Sequence, residues 1–269
     1  MAVAWVTGAS SGLGLHTARA LCAAGWQVVG GARSLSAEEQ PGLLHLPLDV
    51  TDDGSIAAFV REATARYGAP DALVNAAGVL LIGACEDYAA QELQRVMDVN
   101  FLGMARMVRA ALPLMKERGR GRIVTFSSVN GLLATPFQGA YTASKHAVEG
   151  YSEALLMEVR PHGIQVMIVE PGDHRGGQEK YRGRSAHCSA GYLAARDRAA
   201  AVIARDEAAG SDPARLGNRV ARALARRRMP ARLRVAKPSQ HMAVILHDLL
   251  PTGLFTLLLG TYYGVSRRK

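Results

Sequence analysis

Tyr141 and Lys145 stand four residues apart in the run Tyr141-Thr142-Ala143-Ser144-Lys145. On a helix, that spacing puts both side chains on one face, about one turn apart. A free phenol titrates near pH ~10 and is a poor acid or base at neutrality. A neighbouring ammonium favours the phenolate and draws the group toward the range where general acid–base catalysis works best. Alone, the pair carries little weight, because a core tyrosine followed by a solvated lysine gives the same pattern. Two further polar positions bear on it. Ser127 and Ser128 close the apolar run Ile123-Val124-Thr125-Phe126. Asn100 falls among apolar residues in Val96-Met97-Asp98-Val99-Asn100-Phe101. A buried asparagine must be hydrogen-bonded, so Asn100 is either a structural bridge or a site residue.

A second constellation lies at the start of the chain. Val3 to Val6 are apolar and lead into Thr7-Gly8-Ala9-Ser10-Ser11-Gly12-Leu13-Gly14, after which Leu15, Ala18, Leu21 and Cys22 recur at helical spacing. Strand, glycine turn and helix in this order let the backbone approach a ligand and aim free N–H groups at a pyrophosphate. The context strengthens a triplet of glycines that is weak in isolation. The second strand, Val28 to Ala32, exits at Arg33, and no acid occurs between residues 26 and 37. An acid there would hold a ribose 2′-hydroxyl, whereas an arginine suits a 2′-phosphate. NADP(H) is therefore expected over NAD(H), with Ser10 and Ser11 as added hydroxyl donors.

These residues need elements to position them. Leu43 to Val50 predicts a third strand with Asp49 at its exit. Thr51 to Ser55 starts a helix that runs through Ile56 to Tyr67. Ala72-Leu73-Val74 predicts a fourth strand, turning through Asn75-Ala76-Ala77-Gly78. A helix from about Gln91 continues to Met115. Gly121 to Ser128 is a fifth strand, the Tyr141 helix runs toward Pro161, and Ile164 to Pro171-Gly172 is a sixth. Six alternations of strand and helix imply a parallel, doubly wound α/β sheet with helices on both faces. Ligands bind such sheets beyond the C-terminal strand ends, which is where each motif falls.

The chain has 269 residues, enough for one undivided α/β domain. Its three cysteines, Cys22, Cys85 and Cys188, give neither metal spacing nor a disulfide framework, which fits a reducing compartment. No secretory leader is evident, and a cytoplasmic protein is expected. The net charge is +9, with the excess late, in Arg215, Arg219, Arg222, Arg226, Arg227, Arg228, Arg232 and Arg234. Arg219, Arg222 and Arg226 read as a solvated helix face. No aromatic or base-reading side chains accompany them, so nucleic acid is not an expected partner.

Taken together, Thr7 to Gly14, Asp49-Val50, Asn75 to Gly78, Asn100, Ser128, Tyr141 to Lys145 and Pro171-Gly172 resemble a short-chain dehydrogenase/reductase. The set covers about two thirds of the chain in the family's order. Ser128 precedes Tyr141 by 13 residues, the family's spacing, which favours it over Ser127. The resemblance implies that Tyr141 exchanges a proton with the substrate oxygen and that Lys145 depresses the Tyr141 pKa and holds the nicotinamide ribose. Ser128 positions the substrate oxygen, and Asn100 holds a relay water. Asp49 and Val50 meet the adenine, and Asn75, Ala76 and Gly78 line the cofactor. Gly8, Ser10, Ser11, Gly12, Leu13 and Gly14 hold its phosphates, and Pro171 and Gly172 border the nicotinamide. It further implies a homodimer or homotetramer and no metal. The rival reading is a dinucleotide-sensing protein of the same fold without turnover.

Within the family the chain is most similar to steroid- and retinol-dehydrogenase-like members, which implies a small hydrophobic alcohol or ketone as substrate. One departure stands out: Gly176 occupies the place where the family often has a threonine that binds the nicotinamide amide. The resemblance divides the single domain, 1–269, into a cofactor-binding and catalytic core (1–172), a substrate lid (173–212), and C-terminal helices with an apolar tail (213–269). Asp212-Pro213 caps a new helix. From His241 to Val265 the tail is strongly apolar. Its charge-free run, Leu249 to Val265, is 17 residues long and broken by Pro251, Gly253, Gly260 and Gly264, which argues against a transmembrane helix of ~20 apolar residues. Packing on the pocket or on a partner subunit is expected. Peripheral membrane contact aided by Arg267, Arg268 and Lys269 is the other reading.

Overall fold

The computed structural model describes residues 1–176 and 181–265; Lys180 of the lid and the terminal Arg267, Arg268 and Lys269 lie outside them. In chain order the elements are β1 (Val3–Thr7), α1 (Gly12–Ala23), β2 (Gln27–Ala32), β3 (Glu38–Gln40), β4 (Leu43–Pro47), α2 (Asp53–Tyr67), β5 (Ala72–Asn75), β6 (Leu80–Ile82), α3 (Ala90–Met97), α4 (Gly103–Glu117), β7 (Gly121–Phe126), α5 (Gly139–Val159), β8 (Ile164–Pro171), β9 (Arg182–Arg184), α6 (Ala190–Ala208), α7 (Pro213–Leu224), β10 (Arg232–Val235), α8 (Pro238–Leu249) and α9 (Thr252–Tyr262).

The main sheet has the order β10-β8-β7-β5-β1-β2-β4-β3. Its pairings are parallel except for β3 on β4. Successive side chains on a strand point to opposite faces, so a strand buried on both faces is apolar along its length, as β1 is from Val3 to Val6. Trp5 faces one layer, where it meets Phe59 of α2 edge-on at 5.7 Å. Ala4 and Val6 face the other, with Leu21 of α1 and Leu216 and Val220 of α7. From β1 the chain order runs outward both ways, to β2 and to β5. The crevice at that switch is where an open α/β sheet binds its ligand.

The parallel core matches the sequence expectation, but the sheet has eight strands rather than six. β3 is three exposed polar residues, too short and too polar to carry an alternation signal. β10 reads Arg-Leu-Arg-Val, and its arginines belong to the late basic excess in sequence; in the structure they cross the sheet edge to buried acids. The segment 173–212 also differs from its unpatterned appearance. Within it, 19 residues form the alanine-rich helix α6, and β9 pairs with β6 in a second, two-stranded sheet that ties Arg182–Arg184 to the core. Asp212 caps α7 as expected, accepting from the Ala214 N–H at 2.9 Å. Arg219, Arg222 and Arg226 are exposed.

Between α3 and α4 the chain makes one π-helical turn, Asp98–Leu102. Such a turn inserts one extra residue per hydrogen bond and commonly marks a site. Here it holds Asn100, which is buried.

Candidate active site

One cavity of about 850 Å³ opens at the C-terminal edge of the sheet. Gly8, Ser10, Ser11, Gly12, Leu13, Gly14, Arg33, Asp49, Val50, Ala76, Gly78, Ser128, Tyr141, Lys145, Pro171 and Gly172 all line it. Asn75 does not. It is buried at the end of β5, behind the wall that its neighbours form. Asn100 likewise stands behind the wall.

The glycine loop has the form its sequence implies. Gly8 and Gly12 have φ of 69° and 52°, a region that favours glycine. A Cβ on Gly14 would stand 2.3 Å from the Gly8 carbonyl oxygen, so only glycine lets the first turn of α1 close onto β1. Ser11 is the N-cap of α1, no side chain caps it, and its first turn carries no acid. Its free N–H groups and positive dipole end therefore face the cavity, which fits a pyrophosphate. Thr7, a residue the sequence reading did not single out, accepts from the N–H groups of Ala76 and Ala77, both at 3.1 Å. It staples the β5 turn to the glycine loop.

Arg33 is exposed at the cavity rim. Asp49 Oδ1 accepts from the Thr51 N–H and hydroxyl at 2.9 and 2.7 Å. Burial raises the Asp49 carboxyl, but the Thr51 hydrogen bonds and the charges of Arg33 and Arg106 together hold it below its ordinary value. The rim is thus an anionic Asp49 beside a cationic Arg33.

At the far end α5 presents Tyr141 and Lys145 on one face, as their spacing predicts. Lys145 Nζ donates to the Phe126 carbonyl at 2.8 Å and lies 5.6 Å from the centre of the Tyr141 ring. Burial brings the ammonium down to about 8, and the Glu149 carboxylate one turn further along α5 opposes that fall. The Tyr141 phenol is raised, chiefly by burial; hydrogen bonding with Ser128 pulls it back and the Asp173 carboxylate adds to the rise. Desolvation thus sets the direction for Tyr141, while Lys145 is anchored to the Phe126 carbonyl. Ser128 is the N-cap of a short 3₁₀ turn and accepts from the Asn130 N–H at 3.1 Å.

Asn100 spends its amide on the scaffold. Oδ1 accepts from the Val79 N–H at 2.7 Å, and Nδ2 donates to the Val79 carbonyl and to Ser144 Oγ, both at 2.9 Å. Both amide hydrogens are therefore used. Gly78 stands beside both groups: a Cβ there would be 3.4 Å from Asn100 Oδ1 and 3.8 Å from Lys145 Nζ.

Several neighbours escaped sequence reasoning. Asn130 donates to Thr135 Oγ1 at 2.8 Å and to Gln138 Oε1, and Thr135 donates to the same Gln138 oxygen at 2.7 Å. All three line the cavity beside Ser128. Phe137, with φ of 61°, turns the chain there at a cost of about 1–3 kcal/mol. An aperiodic loop gives no signal for such contacts. Glu149 and Glu170 did leave one: a carboxylate on an otherwise apolar face needs a partner. Arg232 supplies it, donating to Glu149 at 2.8 Å and also to Glu170 and Glu153, while Arg234 meets Glu170 at 2.6 Å.

Beyond the catalytic end the wall is mixed: Asp206, Glu207, Lys237 and Gln240 give it a polar part, and the tail gives it an apolar part. Ala243, Leu246, Phe255, Leu258 and Leu259 form the latter. The tail's expected packing on the pocket is thus present.

Comparison with known proteins fixes the class. The family profile for short chain dehydrogenases matches residues 2–182. The chain belongs to the short-chain dehydrogenase/reductase family. As a member of it, the chain is an NAD(P)-dependent oxidoreductase acting on CH–OH and C=O groups. It is 36% identical over 266 residues to a 3-ketodihydrosphingosine reductase of Bacteroides thetaiotaomicron, covering 97% of each chain. Among solved structures, it is similar to a short-chain dehydrogenase/reductase of Burkholderia phymatum in complex with NAD, with a TM-score of 0.81, 26% identity and 92% and 93% of the two chains covered. It is also similar to a gluconate 5-dehydrogenase of Burkholderia cenocepacia in complex with NADP and tartrate, with a TM-score of 0.62, 30% identity and 66% and 72% covered. The short-chain dehydrogenase/reductase fold thus accounts for the parallel sheet, and a nicotinamide dinucleotide is its cofactor.

Proposed function

We propose that this enzyme interconverts a ketone and an alcohol on a long apolar substrate, with NADP(H) preferred over NAD(H). One observation carries the reading: Ser128, Tyr141 and Lys145 converge at one end of a cavity whose outer wall is the apolar α8–α9 pair. The Bacteroides relative, named for a keto lipid, supports the choice of substrate. Arg33 at the rim supports the choice of cofactor, because a guanidinium suits a 2′-phosphate.

The glycine loop and the α1 N-terminus would hold the pyrophosphate. Ala76, Gly78, Pro171 and Gly172 would flank the nicotinamide, which when bound supplies the hydride. Ser128 donates a hydrogen bond to the substrate oxygen and fixes its position. Tyr141, kept protonated by burial, donates its proton to that oxygen as the carbonyl is reduced, and takes it back in the reverse direction. Lys145 supplies the positive charge that steadies the resulting phenolate. Asn100 fixes Val79 and Ser144 around this centre and would hold the relay water. Gly176 offers no hydroxyl, so a nicotinamide amide would meet backbone groups or Asp173.

Residues 173–212 act as the substrate lid over a single 1–269 domain, in a cytoplasmic homodimer or homotetramer whose apolar tail packs on the pocket or on a partner subunit, with peripheral membrane contact as the second reading. The test is turnover. Purified protein is incubated with NADPH or NADH and a panel of long-chain ketones, steroids, retinoids and acyl substrates. Oxidation of NADPH with an apolar ketone is expected. Cofactor binding without turnover of any substrate would replace this reading with a dinucleotide-sensing protein.

A further inference from the structure

The α8–α9 pair has two apolar faces, and only one of them packs on the protein. Inward, Val244 and Phe255 are buried with Val129 and Leu133. Outward, Met242, Ile245 and Leu249 form one stripe on α8, and Leu254, Leu257 and Leu258 form another on α9; all six are exposed, Leu249 by 74%. Among the described residues, seven of the thirteen exposed large apolar side chains fall between Met242 and Tyr262. A patch concentrated in this way marks a contact surface.

Two observations say what covers it. First, Leu258 and Tyr262 belong both to the exposed patch and to the cavity lining. The patch is therefore the rim of the cavity mouth, and an apolar molecule can move from one to the other without crossing water. A second protein copy seated here would cover that mouth. Second, cations border the patch at both ends, and Asp206, to which Tyr262 donates at 2.7 Å, is paired with Arg205. α9 carries no charged residue, and Asp248 is the single acid in the two helices. At the start of α8, the exposed Arg215 and Arg219 line a groove with His241. Just past α9, the exposed Arg198 donates to the Gly264 carbonyl at 2.8 Å. The net charge of the chain is +9. Apolar helices framed by cations suit the boundary of headgroups and acyl chains in an anionic leaflet. No helix among the described residues is long and apolar enough to cross a membrane.

We infer that the α8–α9 pair docks on the surface of an anionic lipid bilayer and opens the cavity directly to lipid-dissolved substrate. This rests on the proposed reading that the substrate is apolar, and it gives the apolar tail a defined face and orientation. Ile245, Leu249 and Leu254 do not line the cavity, so they can be changed without touching the site.

The test is co-sedimentation of the full chain with vesicles of phosphatidylcholine alone or with phosphatidylglycerol added, at low and high salt. The protein is expected to pellet with the anionic vesicles and to be released by salt. The triple variant Ile245→Glu/Leu249→Glu/Leu254→Glu is expected to lose at least tenfold in vesicle affinity while retaining wild-type turnover of a short, water-soluble ketone. The charge-reversed Arg215→Glu/Arg219→Glu variant is expected to lose the preference for anionic vesicles. Wild-type protein that stays in the supernatant with both compositions would overturn the inference. So would a dimer, seen by light scattering, that the triple variant dissociates without any change in vesicle binding, since that assigns the patch to a second copy. Vesicle binding is read without turnover, so failure of docking and failure of the ketone reading are separate results.

Discussion

Glu149 stands one helical turn beyond Lys145 on the buried face of α5, and its carboxylate opposes the fall that burial imposes on the Lys145 ammonium. Glu149 is itself raised by burial and held back by Ser127 and Arg232, with Glu170 pushing it up further. Lys145 is a base whose charged form burial disfavours, so it loses its proton as pH rises through about 8. Removing the negative charge of Glu149 removes a force that keeps the proton on, and the loss must then come at lower pH. The kcat/KM for ketone reduction, which reports the free enzyme, is expected to fall above about pH 8. In Glu149→Gln that fall is expected at lower pH. A pH–rate profile for the two proteins checks this, and coincident alkaline limbs would refute the link.

Tyr141→Phe removes the proton donor and leaves the ring in place. Turnover is expected to drop by about 10²–10⁴-fold, the usual contribution of general acid–base catalysis, with NADPH affinity nearly unchanged. Fluorescence titration of the cofactor and steady-state kinetics separate the two effects.

Arg33→Asp replaces a cation at the cavity rim with an anion. A charge-assisted hydrogen bond to a phosphate contributes about 1.5–3 kcal/mol. NADPH affinity is expected to fall about tenfold or more while NADH affinity holds or improves. Parallel Kd measurements for the two cofactors decide it.

Gly14→Ala tests the closeness of the glycine loop. The added methyl would meet the Gly8 carbonyl oxygen at 2.3 Å, and the contact is with backbone that cannot swing aside. A loss of about 1–3 kcal/mol in stability is expected, as for overpacked sites, together with loss of the Tm increase that NADPH gives wild type. Thermal unfolding with and without cofactor measures both.

Arg232→Leu takes one of two cations from Glu170, which is fully buried, and the ion-pair partner of Glu149 among the described residues. Breaking a buried pair costs about 3–5 kcal/mol. The low end is expected, because Arg234 stays on Glu170 and Arg232 is itself partly solvated. Denaturant unfolding measures the loss, and Glu149→Gln on the same background is expected to recover part of it.

The sequence by itself determined the class, the parallel sheet and the cofactor and catalytic end of the cavity lining. Those features are local: a glycine turn between strand and helix, a four-residue spacing on a helix, an apolar strand ending in polar residues. Each signal sits within a few residues, and backbone geometry converts it directly into a strand end or a helix face. Tyr141, Lys145, Ser128, Arg33 and Gly14 all reach the cavity for that reason.

What only the tertiary structure decided depends on segments far apart in the chain. Asn75 and Asn100 look equivalent in sequence to their site neighbours, yet both stand behind the cavity wall, because side-chain direction at a strand end or a π turn is set by what packs there. Arg232 and Arg234 read as surplus charge until β10 is placed beside β8, where they meet Glu170 some sixty residues away. The tail shows an apolar run without saying which face is covered. Folding α8 against α9 buries Val244 and Phe255 and leaves Ile245, Leu249 and Leu254 in solvent. Burial likewise raises the Tyr141 phenol, since desolvation depends on the surrounding atoms of the whole fold, and a four-residue spacing contains no information about them.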